Sequence, residues 1–369
     1  MKIPNHNLLI VFNSMDIGGI ERKIIDLCNY FCPKTKTSVC LLLKNKSGLL
    51  LESLPKEVCV VSPKMLDFYK TKTVIFPLWI ASQIRIIKPD LILAFGNYCG
   101  ISSLLARIFS GVKPPLIISE DSSIDKQIDS DTFSWLRKLL VKKYYPMAEK
   151  IITLTSAGKM KMKKIVKDND DSKIVVAPNW LPYGYVNNTM IKNDKRKIDL
   201  LFLGRFEIQK NPLEFLKISK KLVINDPKIK IAMVGYGSLE FTMKKYISEN
   251  SLTKNVTIFA ANTNPYHIFL DSKILLLSSI HEGFPLTILE SSAAGCVPIC
   301  RLMSETNSYF DYYPETCQYQ SLSSAVKNIA SLLLDSRLRK DIARYYQQKA
   351  KIEQSTNFNT TVNLIKKYL

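Results

Sequence analysis

The sequence predicts an α/β protein of two doubly wound domains facing a cleft. Three observations carry that reading. Short apolar runs alternate with amphipathic runs along most of the 369 residues, the pattern of parallel βαβ units with helices on both faces. The alternation breaks once, in a stretch rich in Pro, Gly, Asn and charge, and then restarts. A chain of this length also suffices for two separate cores.

In the first half, LLIVF (8–12) reads as a buried strand, followed by a turn with Gly18 and Gly19 and an amphipathic helix, ERKIIDLCNYF (21–31). SVCLLL (38–43), VCVV (58–61), LILAF (91–95), PLIIS (115–119) and KIITL (150–154) read as further strands. Helical patterns lie between most of them, near 74–87, 98–109, 132–147 and 156–167. After KIVVAPN (173–179) comes WLPYGYVNNTMIKNDKRK, which reads as an interdomain linker over 181–197.

The second half runs strand DLLFLG (199–204), helix 211–225, strand IKIAMVG (229–235), helix 238–249 and strand NVTIFA (255–260). A short helix near 265–270, strand KILLLSS (273–279), helix 285–294 and strand VPIC (297–300) follow. Helices at 321–334, 336–353 and 361–368 close the chain. The expected domains are 1–180 and 198–355, with 356–369 as a terminal helix.

Composition narrows the function. Apolar residues make up 46% of the chain, which excludes a disordered polypeptide. The net charge of +20 suits an anionic partner: nucleic acid, an acidic membrane face or phosphorylated substrates. A lysine-rich solvated surface explains the same surplus. The eight cysteines form no C-x-x-C pair and have no histidine cluster nearby, so zinc is not expected. Several sit inside apolar strands (VCLLL, VCVV, VPIC) and read as reduced, buried thiols of a cytosolic protein. The apolar run near the N-terminus is too short for a signal peptide, and no run reaches the roughly 18 apolar residues of a membrane span. The expectation is a soluble or peripheral protein.

Four strand ends could carry chemistry. In HEGFPLTILE (281–290), Glu282 falls just past an apolar strand, Gly283 permits close backbone approach, and Pro285 suits the first position of a helix. The first amides of that helix, including those of Phe284, Leu286 and Thr287, can receive hydroxyls or anionic oxygens. Glu290 lies further along the helix, so the two carboxylates would grip separate parts of an elongated ligand; a carboxylate suits a vicinal diol such as a ribose. In LLFLGRFEIQKNP (200–212), a strand ends at Gly204, and Arg205 and Lys210 then offer a fork and a point charge for a diphosphate. MVGYGSLE (233–240) places Gly235 at a strand-helix turn. MDIGGIER (15–22) places Gly19 where a backbone could approach an anion. Ordinary surface turns and solvated basic residues account for each stretch alone. Their joint placement at corresponding strand ends of both halves is the stronger signal.

On these residues the chain resembles a retaining glycosyltransferase of the GT-B fold, family 4, a fold of two Rossmann-like domains. Glu282 and Glu290 with GFPLTIL between them, the G-R-x-x-x-x-K segment (Gly204, Arg205, Lys210), the IGGIER opening and VVAPN (175–179) carry the likeness, which spans nearly the whole chain. The resemblance implies that Arg205 and Lys210 hold the donor diphosphate and Glu290 the ribose. Glu282 and the amides from Gly283 to Thr287 would hold the sugar, Gly19 would pass close to the phosphate, and the terminal helix would cross back to the N-terminal domain. One departure stands out. Where many relatives carry a histidine after strand PLIIS, this chain has Glu120 and Asp121, and an ionised Asp121 cannot donate a proton as a histidine could.

The implied reaction moves a sugar from a nucleotide diphosphate, UDP foremost, to a hydroxyl of a lipid-linked or polysaccharide acceptor in cell-envelope glycan synthesis. Arg205 and Lys210 would stabilise the leaving diphosphate in place of a metal. The D-x-D triplets at 129–131 and 168–170 read as solvated loops, so no metal is expected. WLRKLLVKKYY (135–145) and KMKMKKIVK (159–167) suit an anionic membrane face, which suggests a cytoplasmic protein peripheral to the inner face of the plasma membrane. Helices that bury their apolar faces and solvate their lysines are the alternative. Two other functions fit less of the sequence. A GT-B UDP-amino-sugar epimerase would need acid and base groups in the site, and the chain has only three histidines. A nucleic-acid-binding protein would explain the charge but lacks a basic-aromatic ladder or binding module.

Overall fold

The computed structural model describes residues 6–35, 37–63, 69–123, 134–167, 171–182, 196–261 and 265–369. Two compact units emerge, Met1–Pro182 with Asn357–Leu369, and Tyr183–Thr356. Each is built on one parallel sheet.

In the first unit the chain runs β1 (His6–Phe12), α1 (Gly19–Lys34), β2 (Thr37–Leu43), β3 (Cys59–Val61), α2 (Tyr69–Ile87), β4 (Leu91–Phe95) and α3 (Gly96–Ser110). It continues β5 (Leu116–Glu120), α4 (Ser134–Tyr144), β6 (Lys150–Thr153), α5 (Ser156–Val166) and β7 (Ile174–Val176). The sheet order is β3-β2-β1-β4-β5-β6-β7. The strands are apolar throughout because both faces are covered. Along β1, Leu9 and Val11 enter one core cluster while Leu8, Ile10 and Phe12 enter the other, the period-two alternation of a pleated strand.

The second unit runs β8 (Ile198–Leu203), α6 (Pro212–Asn225), β9 (Ile231–Val234), α7 (Glu240–Glu249), β10 (Val256–Phe259), α8 (Tyr266–Leu270) and β11 (Ser272–Leu277). Then come α9 (Leu286–Ala293), β12 (Val297–Arg301), α10 (Pro314–Cys317), β13 (Gln318–Tyr319), α11 (Leu322–Leu334) and α12 (Ser336–Lys366). The order is β10-β9-β8-β11-β12-β13. Chain order therefore reverses between β1 and β4 in one sheet and between β8 and β11 in the other. Open α/β sheets bind ligands at such switch points, beyond the carboxyl ends of the strands.

Four details depart from the sequence expectation. The terminal helices expected at 336–353 and 361–368 are one helix of 31 residues. STNFNT between them is poor in helix formers, but tertiary contacts hold it: Asn357 Nδ2 donates to the Asn179 carbonyl at 2.9 Å, and the Phe358 ring meets Trp180 edge-on at 5.3 Å. The ends of the expected linker are anchored. Leu181 is buried beside Trp180, whose indole donates to Asp26 Oδ2 at 2.9 Å. Arg196 donates to the carbonyls of Phe269, Ser272 and Ala294. Cys59 is exposed rather than buried, because β3 is an edge strand. Finally, β13 and α10 extend the second unit beyond the strands read from sequence. Linker residues 183–195 and both D-x-D triplets lie outside the described residues.

Candidate functional site

β8 and β11 are neighbours, with Ile274 opposite Leu200. The turns that follow them therefore meet, although Lys210 and Glu282 are 72 residues apart. After β8 come Gly204 and Arg205, then a 3-10 turn over Ile208–Lys210. Asn211 takes a left-handed conformation (φ 51°) and hands the chain to α6 with Pro212 in its first turn.

This path brings the Lys210 ammonium onto Glu282 Oε1, in an ion pair whose side chains are 19% and 8% exposed. The Ser278 hydroxyl, at the end of β11, faces the carbonyls of Lys210 and Asn211 at 3.1 and 3.0 Å. Gln209 ties the two turns together. Its carbonyl accepts from the Ile280 amide at 2.8 Å. Its side-chain amide donates to the His281 carbonyl at 3.1 Å, and its side-chain oxygen accepts from Arg205 Nη2 at 3.3 Å. Arg205 is exposed. Below them, Glu214 accepts from Asn211, Arg301 and Tyr319, fixing the start of α6 to β12 and β13.

The glycines act mainly through space. A Cβ on Gly235 would lie 2.0 Å from the Gly204 carbonyl oxygen, and one on Gly237 would lie 2.6 Å from that of Phe206. The G-x-G turn thus lets β9 press against the turn that carries Arg205. Above Gly204 lies the aliphatic stem of Lys210, 3.6 Å from where a Cβ would be.

Glu282, Gly283, Phe284, Pro285 and Leu286 are all buried. Phe284 anchors this turn edge-to-face on Tyr309 at 5.6 Å. Pro285, at the head of α9, supplies no side-chain cap, which leaves first-turn amides for other acceptors. The Thr287 hydroxyl is buried without a hydrogen-bond partner among the described residues. Glu290 has no exposed surface and lies four residues along α9 from Leu286, about 6 Å at helical rise.

Gly19 and Asp121 belong to the first unit. Gly19 opens α1 behind an extended Gly18 that gives no side-chain cap. Asp121 follows β5, and both its oxygens are engaged: Oδ1 by the Lys23 ammonium and Oδ2 by the Ser119 hydroxyl at 2.9 Å. The Lys23 and Asp121 side chains are each 4% exposed. Lys23 also stands 5.2 Å from the Trp180 ring. Next door, Glu120 is buried and accepts from the Tyr145 hydroxyl, and burial pushes its carboxyl up to about 8. Lys23, Gln209 and Ser278 were not singled out from sequence. A signal existed for Lys23, a cation among Ile20, Ile24 and Leu27 on the apolar face of α1. Gln209 and Ser278 gave none.

Comparison with known proteins places the fold. The solved structure of Anabaena HepE in complex with UDP-glucose superposes with a TM-score of 0.80 at 13% identity, over 98% of this chain and all of that one. The fold is GT-B. Staphylococcus aureus TarM gives a TM-score of 0.76 at 11% identity, over 97% of this chain and 99% of its own. Residues 188–349 match the family model described as Glycosyl transferases group 1. A Campylobacter jejuni relative is 25% identical over 92% of both chains. It is named as an alpha-1,4-N-acetyl-D-galactosaminyltransferase for a PP-undecaprenol-linked glycan. An Escherichia coli UDP-Gal:alpha-D-GlcNAc-diphosphoundecaprenol alpha-1,3-galactosyltransferase is 31% identical over 34% of this chain and 36% of its own. Together these matches support a GT-B glycosyltransferase and favour neither the epimerase nor the nucleic-acid reading.

Proposed function

We propose that the protein is a retaining, family 4 glycosyltransferase that moves a hexose from a UDP-sugar to a hydroxyl of a lipid-linked glycan. The observation that carries the proposal is the meeting of Lys210 and Glu282 at the β8/β11 switch point, with Arg205 held by the adjacent Gln209, beside the uncapped start of α9. An ammonium has three donors; Lys210 gives one to Glu282 and has others for phosphate oxygens. Arg205 adds a planar fork held by Gln209. Glu282, with the amides from Gly283 to Thr287, takes sugar hydroxyls, and the orphaned Thr287 hydroxyl gains a partner. Glu290 takes the ribose. Gly204 and Gly235 shape the turn under the diphosphate.

As the bond to the anomeric carbon breaks, charge develops on the β-phosphate. The two cations stabilise it where they already stand. The acceptor hydroxyl attacks from the face the diphosphate leaves, and its proton passes to a departing phosphate oxygen, so configuration is retained without a protein nucleophile. Asp121, oriented by Lys23 and Ser119, serves as a hydrogen-bond acceptor for substrate, and Gly19 offers its amide to phosphate. UDP is favoured by the HepE complex and by the galactosyltransferase relative, and a diphosphopolyprenol acceptor by the names of both relatives.

A thermal-shift screen against UDP-, GDP- and ADP-sugars tests the donor. UDP-sugars should raise the melting temperature, and Glu290→Ala should abolish the rise. A rise with GDP- or ADP-sugars alone would overturn the base assignment, and no rise with any of them the donor reading itself.

A further inference from the structure

Two of the cysteines stand directly across a strand pair. β2 and β3 run parallel, and Cys40 is the register partner of Cys59, followed by Leu41 with Val60 and Leu42 with Val61. Side chains alternate between the two faces along each strand, and the core clusters agree with that register. Cys40, Leu42 and Val61 pack on one face of the sheet, Leu41 and Val60 on the other. Cys59 is two residues from Val61, so both thiols lie on the same face. Burial pushes the Cys40 thiol up to about 12, and the Cys59 thiol beside it adds to the rise through its charge and a hydrogen bond. The two differ in access. Cys40 is 6% exposed, whereas Cys59 lies open to solvent on the edge strand.

We propose that Cys40 and Cys59 form a reversible disulfide, with Cys59 as the sulfur an oxidant reaches and Cys40 as the sulfur that resolves it. Neighbouring strands lie about 4.8 Å apart, inside the roughly 4.4–6.8 Å that a disulfide spans between Cα atoms. β3 has three residues and one neighbouring strand, so it is free to adjust as the bond closes. Cys28 and Cys32 are a poorer pair. They sit four apart on α1, which holds their Cβ atoms about 5–6 Å apart, beyond the roughly 3.5–4.5 Å of a disulfide.

The oxidant class is a peroxide. The Cys59 sulfur attacks one peroxide oxygen, the O–O bond breaks, and the sulfur gives up two electrons to become a sulfenic acid while water or an alcohol leaves. The Cys40 sulfur then attacks the sulfenic sulfur. The S–S bond forms as the S–O bond breaks, and the Cys40 proton leaves with the hydroxide as water. A disulfide exposed on one side is of the readily reduced, regulatory kind, and a dithiol reverses it by exchange at Cys59. The bond closes a ring over residues 40–59. Within that ring the Asn45 amide donates to the Asn13 carbonyl at 2.8 Å and the Leu50 amide to the Met15 carbonyl at 2.9 Å. The ring thus grips the segment that leads from β1 into α1. Bond formation needs no substrate, so it stands apart from the function proposed above.

The test is treatment of the reduced full chain with near-stoichiometric hydrogen peroxide. Free thiols are then blocked with N-ethylmaleimide, and peptides are analysed by mass spectrometry without reduction. A peptide pair joined through Cys40 and Cys59 should appear, lighter by two hydrogens than its separate parts, and dithiothreitol should restore both thiols. In Cys59→Ser the joined pair should be lost and Cys40 should stay reduced at the same dose. In Cys40→Ala, Cys59 should stop at the sulfenic acid, which dimedone captures. Cys32→Ser should cross-link like the parent. Cys59 is exposed, so Cys59→Ser should keep the parent melting temperature and carries the test if the buried Cys40→Ala does not fold. The proposal is overturned if both thiols are still alkylated after oxidation, if Cys59 passes to the sulfinic acid without joining Cys40, or if it joins Cys32 as readily. Oxidation in denaturant that yields the Cys40–Cys59 pair in the same proportion would also overturn it, because the fold would then not select the partners.

Discussion

The side-chain amide of Gln209 faces two ways, accepting from Arg205 and donating to the His281 carbonyl, so its two contacts can be removed one at a time. Gln209→Glu keeps the acceptor and loses the donor; Gln209→Lys does the reverse. If Gln209 aims Arg205 and steadies the turn bearing Glu282, Gln209→Lys should raise the donor KM. Gln209→Glu should chiefly lower kcat. Each effect should approach tenfold, for a hydrogen bond worth about 1–1.5 kcal/mol. Steady-state kinetics in which both variants match Gln209→Ala would contradict this. Glu120 gives a second residue-scale expectation. Burial raises its carboxyl from 4.5 to about 8, so folding favours the protonated form. That contribution is complete below about pH 4.5 and is lost as pH rises toward 8. Glu120→Gln should therefore flatten the fall in melting temperature between pH 5 and 8; an unchanged slope would place the titration elsewhere. The positions of Arg205, Lys210 and Glu282 just past strand ends were legible, because each follows an uninterrupted apolar run. Their mutual contact was not, because it depends on β8 lying beside β11. Lys23 was missed because its position on an apolar face was read as part of the helix pattern.

At the scale of elements, the turns after β8 and β9 are pressed together, and their glycines should differ in tolerance. Gly235→Ala would drive its Cβ to 2.0 Å from the Gly204 carbonyl oxygen. It should destabilise the second unit by about 3 kcal/mol or more, at the severe end for point changes. Gly204→Ala meets only the Lys210 stem at 3.6 Å and should stay within about 1 kcal/mol. Denaturant melts of both variants check this, and equal losses would contradict the packing described. Most strands and helices were readable because a doubly wound sheet buries both faces, which leaves uninterrupted apolar runs. What sequence missed here was settled by distant contacts. Asn357 and Phe358 keep α12 helical through a weak stretch only because Asn179 and Trp180 meet them. Trp180 and Leu181 looked like linker because Pro, Gly and Asn follow them, yet they are core.

For the whole molecule, two parallel sheets each reverse strand order beside their first strand, and of the residues that resembled a donor site, Arg205, Lys210 and Glu282 stand at the switch point of the second. That architecture made the fold class legible from alternation alone. The details of specificity were not, since base, sugar and acceptor are read by particular side chains rather than by sheet order. The central claim is that the second unit grips a nucleoside diphosphate through Lys210 and Glu290. Calorimetric titration of UDP into the parent protein, Lys210→Ala and Glu290→Ala tests it most directly. The parent should bind clearly and each variant should lose at least about tenfold in affinity, one shielded charge-assisted contact being worth about 1.5–3 kcal/mol. Parent-like affinity in both folded variants would contradict it.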